Sequence, residues 1–355
     1  MYEIKITEVA QRKEKPSDES KLGFGKLFSD HMLLINYHKD RGWFDPRVVP
    51  YGNLSLDPAC SVLHYGQEIF EGAKCYRTDK GFNLFRIRDN FERMNRSAAR
   101  MGMAQIPVEL CLESLMALLS VDKEWTPHRT GTSLYIRPTM IATDAALGVS
   151  AAENYLFYIL LSPSGAYYAG GLAPVAIYVE DSLVRAVRGG VGFAKTGGNY
   201  AASILAGAKA KHEGYAQVLW LDGVEQRYIE EVGSMNMMFV YEDRKIVTPM
   251  LNGSILPGIT RDSVLTLAGH MGYEVEEKRI AIEDVMADAA SGKLTEAFGT
   301  GTAAVVSPVN KIAYKDQAVH VGDGSIGRIT QQLYDTLTGI QYGKLDDPFG
   351  WITSF

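Results

Sequence analysis

The feature that most constrains the fold is a long uncharged segment in the middle of the chain. It runs from Asn154 to Val179 and begins with the continuous apolar run Tyr155–Leu161. That run is far shorter than the roughly 20 residues that a membrane-spanning helix needs. Turn-forming residues then interrupt the segment at Pro163, Gly165, Gly170, Gly171 and Pro174. The apolar run therefore predicts a buried strand at 155–162, and 163–174 is the predicted connector between two domains.

The length of the chain agrees with that division. At about 150 residues per domain, 355 residues suggest two domains, and a chain of this size needs neither disulfides nor a structural metal to hold a core. We therefore predict a smaller N-terminal α+β domain at 1–162 and a larger C-terminal domain of α/β type at 175–355.

Composition and charge argue against several classes of function. Lys plus Arg number 36 and Asp plus Glu number 42, which gives a net charge of −6 and no cationic surface for nucleic acid. Residues 1–21 mix both signs of charge and resemble no targeting peptide, so we expect a cytoplasmic protein without a membrane partner. Cys60, Cys75 and Cys111 are too widely spaced for a zinc or disulfide motif, and we predict no metal site.

The periodicity of apolar residues predicts helices and strands on both sides of the connector. Apolar residues that recur every three or four positions predict a helix with Asp89 as its N-cap and Gly102 at its end, and a second helix after Pro107. Further helices are predicted at Tyr200–His212 and 260–271. Short apolar or alternating runs between turn residues predict the strands 31–37, 43–51, 82–87, 173–180, 217–222 and 235–241.

A single lysine lies in a glycine-dense segment, RGGVGFAKTGGNY at 188–200. Glycine lets the backbone approach a ligand closely, so Lys195 is a candidate for presentation into a site. One alternative is a flexible loop with an ordinary surface lysine. Another is a phosphate loop over Gly189–Thr196, which we discount because Gly197 and Gly198 would interrupt the helix that such a loop requires. A third is a lysine that forms a Schiff base with a carbonyl cofactor such as pyridoxal phosphate.

Pyridoxal phosphate requires an acid for its pyridine nitrogen and donors for its phosphate, and the sequence offers candidates for both. The segment IEEVGSMN at 229–236 contains two adjacent glutamates, although paired glutamates more commonly form a solvated turn. For the phosphate, SILPGITRD at 254–262 places Ile259 and Thr260 at a helix start, where N–H groups favour an anion. The turn GTGTA at 299–303 is a second candidate. A plain helix cap or turn is the alternative for both segments.

Seven segments occur in an order that is typical of one known family. They are LHYGQEIFEGAKCY (63–76), NFERMNRSA (90–98), LYIRPTM (134–140), GGVGFAKTGGNYAA (189–202), EEVGSMN (230–236), LPGITRD (256–262) and FGTGTA (298–303). Together they resemble the branched-chain amino-acid aminotransferases, and the resemblance extends from about Phe24 to the C-terminus. It implies the type IV fold of pyridoxal-phosphate enzymes, an α+β fold with two domains of which the larger, C-terminal one binds the cofactor.

The resemblance implies roles for the residues that bind pyridoxal 5′-phosphate. Lys195 matches the lysine that binds the cofactor covalently and later moves the substrate's Cα proton, and Glu231 matches the acid at the pyridine nitrogen. Tyr200 matches the tyrosine at the ring oxygen, and Leu256 matches the residue packed on the ring face. The implied phosphate ligands are Arg93, the amides of Ile259 and Thr260, and the side chain of Thr302.

The resemblance also implies how substrates bind. The backbone of Thr302 and Ala303 would hold the α-carboxylate. Leu147 and Val149 match a loop that reaches the site from the partner subunit, which implies a homodimer. The implied walls of the side-chain pocket are Phe24, Tyr65, Phe70, Tyr135, Arg137 and Tyr167.

The implied reaction is a ping-pong transfer of the amino group of L-leucine, L-isoleucine or L-valine to 2-oxoglutarate. Aromatic walls suit an aliphatic side chain, whereas Arg137 and the tyrosine hydroxyls suit the carboxylate of glutamate. D-amino-acid transaminase and aminodeoxychorismate lyase share the lysine, the glutamate and the phosphate elements, but Tyr135-x-Arg137 and the GTA turn argue against them. A module that binds a nucleotide or metabolite without catalysis is a further alternative.

Overall fold

The computed structural model describes residues 2–165, 172–241 and 244–355. The chain divides into two compact units. Unit 1 comprises Met1–Ala169, Ala194–Gly197 and Ile340–Phe355, and unit 2 comprises Gly170–Phe193 and Gly198–Gly339. The predicted limits at 1–162, 163–174 and 175–355 stay a prediction, since half of the connector lies outside the described residues. Nothing in the sequence indicated that 194–197 and 340–355 belong to unit 1.

The frame of unit 1 is a sheet whose neighbouring strands are mostly antiparallel. Its strands are β1 (Lys5–Ile6), β2 (His31–His38), β3 (Gly42–Pro50), β4 (Glu68–Phe70), β5 (Ala73–Thr78), β6 (Gly81–Phe85), β7 (Ser133–Ala142), β8 (Asn154–Ser164) and a C-terminal strand at Ile352–Ser354. They follow the order β1-β3-β2-β8-β7-β5-β6 and then the C-terminal strand, with β4 paired to β7. The strands predicted before and at the connector are confirmed, although β6 ends at Phe85 rather than at residue 87.

Two helices cover the core of unit 1. The helices of this part of the chain are α1 (Ser61–Tyr65), α2 (Ile87–Arg100) and α3 (Val108–Asp122), with short 3-10 turns at Glu19–Lys21 and Lys123–Trp125. Helix α2 buries Phe91 and Met94 in the same apolar cluster as Leu115 of α3. Each such side chain contributes about 1.5–3 kcal/mol when it is fully buried. Helix α2 also turns three polar residues inward, Asn90, Arg93 and Ser97.

Helix α2 begins earlier than predicted. Arg86, not Asp89, precedes the first helical residue, with a left-handed backbone φ of 49°. Asp89 lies in the first turn, where it accepts a hydrogen bond from Nε of Arg86. Because Ile87 is buried in the core, the helix starts at that apolar residue, and the carboxylate of Asp89 then complements the helix dipole. The prediction of Asp89 as N-cap is therefore wrong, whereas the helix predicted after Pro107 is confirmed.

Unit 2 contains a second sheet, in which six strands close into a ring. Its strands are β9 (Val175–Glu180), β10 (Gln217–Leu221), β11 (Ile229–Val232), β12 (Met235–Tyr241), β13 (Lys245–Pro249), β14 (Glu274–Lys278), β15 (Leu294–Gly301), β16 (Val305–Tyr314) and β17 (Gln317–His320). The order is β11-β10-β9-β16-β15-β12-β13-β14, with β17 on β16, and β11 also pairs with β12. The three strands predicted for this half are confirmed as β9, β10 and β12.

The remaining helices of the chain are α4 (Gly197–Ala201), α5 (Ile204–His212), α6 (Ile259–His270), α7 (Ile282–Ser291) and α8 (Arg328–Gln341). The helix predicted at 260–271 is confirmed as α6, but the one predicted at Tyr200–His212 is divided between α4 and α5. Ser203 donates its hydroxyl to the carbonyl oxygen of Tyr200 at 2.7 Å, and such a bond competes with helix hydrogen bonding. Gly197 and Gly198 begin α4, so they do not interrupt a helix, and that argument against a phosphate loop is wrong.

In the described parts of the chain, no helix combines the length and the apolar character that crossing a bilayer requires. Among the same residues, His, Cys, Asp and Glu side chains form no group of three that could hold a metal ion. Cys60, Cys75 and Cys111 are buried free thiols.

Candidate active site

Lys195 is fixed in unit 1 through its backbone. Its carbonyl oxygen accepts a hydrogen bond of 3.0 Å from the N–H of Phe70 in β4. Its own N–H donates to Oγ of Ser97, on the inward face of α2, at 2.9 Å. The next residue, Thr196, donates its hydroxyl to the carbonyl oxygen of Glu68 at 2.8 Å. These contacts hold the lysine between a strand and a helix, which contradicts the alternative of a flexible loop with a surface lysine.

The amine of Lys195 lies in a half-buried environment. Its Nζ is 4.7 Å from the centre of the Phe70 ring. Burial lowers the pKa of Lys195 from 10.5 to about 8; the positive charge of Arg93 lowers it as well, against the opposing effect of Glu71. An amine with this pKa has a substantial neutral fraction near neutral pH, and the neutral form is the nucleophile.

A buried ion pair lies in the same cluster. Arg93 donates from Nε and Nη2 to the two carboxylate oxygens of Glu71 at 2.8 and 2.9 Å. Nδ2 of Asn90 and the N–H of Gly72 donate to the same carboxylate at 2.9 and 3.1 Å. Burial alone would raise the pKa of Glu71, but the charges of Arg93 and Lys195 and the side-chain hydrogen bonds lower it below its ordinary value. Glu71 is therefore an ionised anchor for Arg93.

Aromatic side chains and one arginine form the predicted substrate side of unit 1. Arg137 donates from Nη2 to the hydroxyl of Tyr135 at 3.0 Å, and its Cζ lies 4.8 Å from the centre of the Phe70 ring. Nε of Arg137 is buried and has no hydrogen-bond partner among the described residues. The ring of Phe24 meets that of Tyr135 edge-on at 4.8 Å. The structure thus brings Phe24, Phe70, Tyr135 and Arg137 together with Lys195.

Three other predicted substrate residues, Tyr65, Leu147 and Val149, have exposed side chains. The hydroxyl of Tyr65 donates to the carbonyl oxygen of Leu147. Leu147 and Val149 are 65% and 83% exposed. Tyr167 lies outside the described residues.

In unit 2, Glu231 is a buried residue of β11. Its Oε1 accepts the N–H of Leu256 at 2.7 Å, and its Oε2 lies 3.3 Å from Nε of Arg185. The adjacent Glu230 points to the opposite face of the strand, where it accepts hydrogen bonds from Asn252 at 3.0 Å and from Ser254. Both glutamates belong to a sheet and are buried, so the alternative of a solvated acidic turn is wrong.

The predicted anion site lies at the start of α6. Ile259 and Thr260 are buried in its first turn, as predicted, and Gly258 precedes them in extended conformation. A Cβ atom at Gly258 would collide with Oδ1 of Asn236. Nδ2 of Asn236 donates to the carbonyl oxygen of Leu256 at 2.9 Å. This bond holds the segment that precedes α6 against β12. The N-terminal N–H groups of α6 therefore have a fixed direction.

Three further predicted site residues, Thr302, Ala303 and Tyr200, lie elsewhere in unit 2. Thr302 and Ala303 form the turn between β15 and β16, and both are partly buried. Just before this turn, Oγ1 of Thr300 is buried and lacks a hydrogen-bond partner in the described part of the chain. Tyr200 is a partly buried residue of α4.

Sequence reasoning missed three charged residues in these clusters, Glu68, Glu71 and Arg185. Glu68 and Glu71 lie within the first of the seven motifs. The signal that could have identified them is the presence of acidic residues in a segment that also contains glycines and several apolar residues. That signal does not identify Arg93 as the partner of Glu71, because the two are 22 positions apart in the chain. Arg185 has no local signal, since it lies outside the helices and strands and its partner Glu231 belongs to β11.

Comparison with known proteins identifies the family. The sequence matches the family Amino-transferase class IV over residues 68–312. A probable branched-chain-amino-acid aminotransferase of Staphylococcus aureus strain N315 is 54% identical over 349 residues, which cover 98% of this chain and 97% of that protein. The chain belongs to the branched-chain aminotransferases of class IV.

Solved structures of this family resemble the chain along most of its length. The crystal structure of the Escherichia coli branched-chain amino acid aminotransferase matches with a TM-score of 0.76 and 28% identity, and covers 92% of this chain and 99% of that one. The T.th. branched-chain amino acid aminotransferase with pyridoxamine 5′-phosphate matches with a TM-score of 0.74 and 29% identity, over 90% of this chain and 98% of that one. The T.th. enzyme is also known in complexes with N-(5′-phosphopyridoxyl)-L-glutamate and with 4-methylvaleric acid.

Family membership confirms the α+β fold of type IV, the aminotransferase class and pyridoxal 5′-phosphate as cofactor. The alternative of a non-catalytic binding module is therefore wrong. The residues of the chain fit this cofactor. Lys195 offers a half-buried amine with a pKa of about 8, Glu231 a buried carboxylate, and α6 an N-terminal turn.

Proposed function

We propose that this aminotransferase moves the amino group of L-leucine, L-isoleucine or L-valine to 2-oxoglutarate, with pyridoxal 5′-phosphate bound through Lys195. The observation that carries the proposal is the cluster of Lys195, Phe70 and Arg137 in unit 1. An aromatic ring accepts an aliphatic side chain and a guanidinium binds a carboxylate, so one pocket serves both substrates. The name of the Staphylococcus relative and the two complexes of the T.th. enzyme support both substrate classes.

When bound, the cofactor supplies a carbonyl group that reacts with amines and a ring that withdraws electrons from the substrate Cα. For the residues around it we propose the roles that the resemblance implies. Glu231 keeps a negative charge at the pyridine nitrogen and so favours its protonated form. Tyr200 donates to the ring oxygen, and Leu256 packs on the ring face. The proposed phosphate ligands are Arg93, the amides of Ile259 and Thr260, and the side chain of Thr302.

Lys195 has a second proposed role, as the group that removes and returns the proton at the substrate Cα. A base works best when its pKa lies near the working pH, and burial has brought the pKa of Lys195 to about 8. The backbone contacts with Phe70 and Ser97 limit where its amine reaches. The ion pair of Glu71 and Arg93 keeps the charge around the amine constant during proton transfer.

The remaining residues are assigned to substrate binding. The backbone of Thr302 and Ala303 is proposed to hold the α-carboxylate. We also propose that Leu147 and Val149 reach the site of a partner subunit in a homodimer. Their side chains are highly exposed in the single chain, as this role requires. The pocket walls that complete the proposal are Phe24, Tyr65, Phe70, Tyr135, Arg137 and Tyr167.

The test is a panel of amino donors with 2-oxoglutarate as acceptor. We expect turnover of L-leucine, L-isoleucine and L-valine, and much slower turnover of D-alanine and of aminodeoxychorismate. Lys195→Ala should abolish turnover, whereas the control Lys211→Ala, at an exposed lysine, should behave as wild type. Faster turnover of D-alanine or aminodeoxychorismate than of L-leucine would assign the chain to another reaction of the type IV fold.

A further inference from the structure

We propose that Glu68 sets the balance between aliphatic and dicarboxylic substrates, because its negative charge lies on the same face of the sheet as the Arg137 guanidinium, to which the side-chain carboxylate of glutamate or 2-oxoglutarate would bind. The inference rests on the proposed function and assigns a specificity-determining role within the same site.

The register of the unit 1 sheet places Glu68 on the substrate side. In the antiparallel pair β4–β7, Phe70 lies opposite Thr139 and Glu68 lies opposite Ile141. Side chains of directly paired residues share a face, and alternate residues of one strand share it as well. Glu68, Phe70, Thr139 and Arg137 therefore belong to one face of the sheet. The Phe70 ring on that face lies within 4.8 Å of both the Arg137 guanidinium carbon and the Lys195 amine.

The carboxylate of Glu68 is held in place by the loop that carries Lys195. The N–H of Gly197 donates to its Oε1, and Thr196 donates to its backbone carbonyl at 2.8 Å. A Cβ atom at residue 197 would collide with that carboxylate oxygen, so glycine at this position lets the carboxylate lie against the backbone. The carboxylate therefore stays on this face of the sheet instead of turning into solvent.

Glu68 and Arg137 interact electrostatically. Burial raises the pKa of Glu68 above its ordinary value, and the Gly197 N–H and the charge of Arg137 offset only part of that rise. Burial raises the pKa of Tyr158, which is paired with Thr139 on the same face; the charge of Glu68 adds to that rise, and the charge of Arg137 opposes it. One negative and one positive group thus act on the same small volume beside Phe70.

Aliphatic and dicarboxylic substrates respond in opposite ways to the charges of Glu68 and Arg137. With an aliphatic side chain bound, the charge of Glu68 compensates that of Arg137, which reduces the cost of covering a guanidinium with apolar atoms. With a dicarboxylate bound, the charge of Glu68 repels the side-chain carboxylate of the substrate and offsets part of its attraction to Arg137. Removing the charge of Glu68 should therefore favour dicarboxylates selectively.

The experiment compares Glu68→Gln with wild type in the pyridoxal-phosphate holoenzyme. Glutamine still accepts the Gly197 N–H but carries no charge. Two unreactive probes, glutarate and 4-methylvaleric acid, are titrated while the absorbance of the cofactor is recorded, and KM is measured for L-glutamate and L-leucine. We expect glutarate to bind roughly three- to tenfold more tightly, a parallel fall in KM for glutamate, and a smaller loss of affinity for the aliphatic ligands, which then cover an uncompensated guanidinium.

Two controls separate charge from shape. Glu68→Asp keeps the charge and should keep the ratio of the two dissociation constants close to wild type, and Glu14→Gln at an exposed glutamate should leave it unchanged. An unchanged ratio in Glu68→Gln, or an equal shift for both probes, would overturn the inference. The proposed function fails separately, if wild type does not transaminate L-leucine, and the binding ratio still reports on Glu68 in that case.

Discussion

Each unit holds a buried glutamate beside an arginine, and the two pairs differ in geometry. In unit 1, Glu71 binds Arg93 through both oxygens at 2.8 and 2.9 Å, and Asn90 and Gly72 add further bonds to the same carboxylate. In unit 2, Glu231 accepts a backbone N–H at 2.7 Å, and its other oxygen lies 3.3 Å from Nε of Arg185.

The difference in geometry indicates a difference in role. The carboxylate of a bidentate pair with additional donors is compensated within the protein, so it stabilises structure and offers little attraction to a further positive group. A carboxylate at a longer distance from its arginine is less compensated and attracts a further positive group more strongly. We infer that Glu71 supports the backbone and helix around Lys195, whereas Glu231 acts on the ring nitrogen of the cofactor.

Loss of Glu71 should have the largest effect on stability. Glu71→Leu leaves the guanidinium of Arg93 buried without its partner, and the free energy of unfolding should fall by about 3–5 kcal/mol in urea denaturation. The double variant Glu71→Leu with Arg93→Met replaces the pair by apolar side chains, so it should recover most of this loss while remaining inactive. Unchanged stability of the single variant would remove the distinction between the two pairs.

Loss of the Glu231 charge should reduce catalysis more than stability. In Glu231→Gln we expect kcat for L-leucine to fall roughly 10²- to 10³-fold, the size of effect seen when one preorganised electrostatic group is removed. The free energy of unfolding should change less than in Glu71→Leu. Glu230→Gln, on the opposite face of the same strand, is the matched control and should keep most of the activity. Equal losses of kcat in both variants would show that disturbance of the strand, and not removal of the Glu231 charge, reduces catalysis.

Lys195 should make the stability of cofactor-free protein depend on pH. Its pKa is about 8 in the folded protein and about 10.5 in the unfolded chain, so the unfolded state binds more protons between these values. Stability should therefore rise with pH across this window, by up to about 3 kcal/mol relative to Lys195→Met. Urea denaturation of both proteins at pH 7.5, 9 and 10.5, values chosen to span roughly that window, measures the difference. A difference that stays constant with pH would mean that burial does not disfavour the charged amine.

The helices and strands that were predicted correctly are determined by residues within or next to each element. Pro257 and Gly258 mark the start of α6, and alternating or continuous apolar runs mark β2, β8 and β12. The failures have long-range causes. Burial of Ile87 moves the start of α2 away from Asp89, and the partner of Glu71 lies on a helix 22 positions away. The resemblance assigned roles to residues at fixed positions in recognisable motifs. It assigned none to Glu68, Glu71 and Arg185, because their partners are known only once the chain is folded.

The most direct test of the central claim is borohydride reduction of the yellow holoenzyme, followed by peptide mapping. We expect the colour to disappear and the mass of the reduced cofactor to remain on Lys195. Lys74, another buried lysine whose pKa is lowered to about 8, is an internal control and should stay unmodified. Label on Lys74, or an active enzyme whose Lys195 stays unlabelled after reduction, would contradict the account.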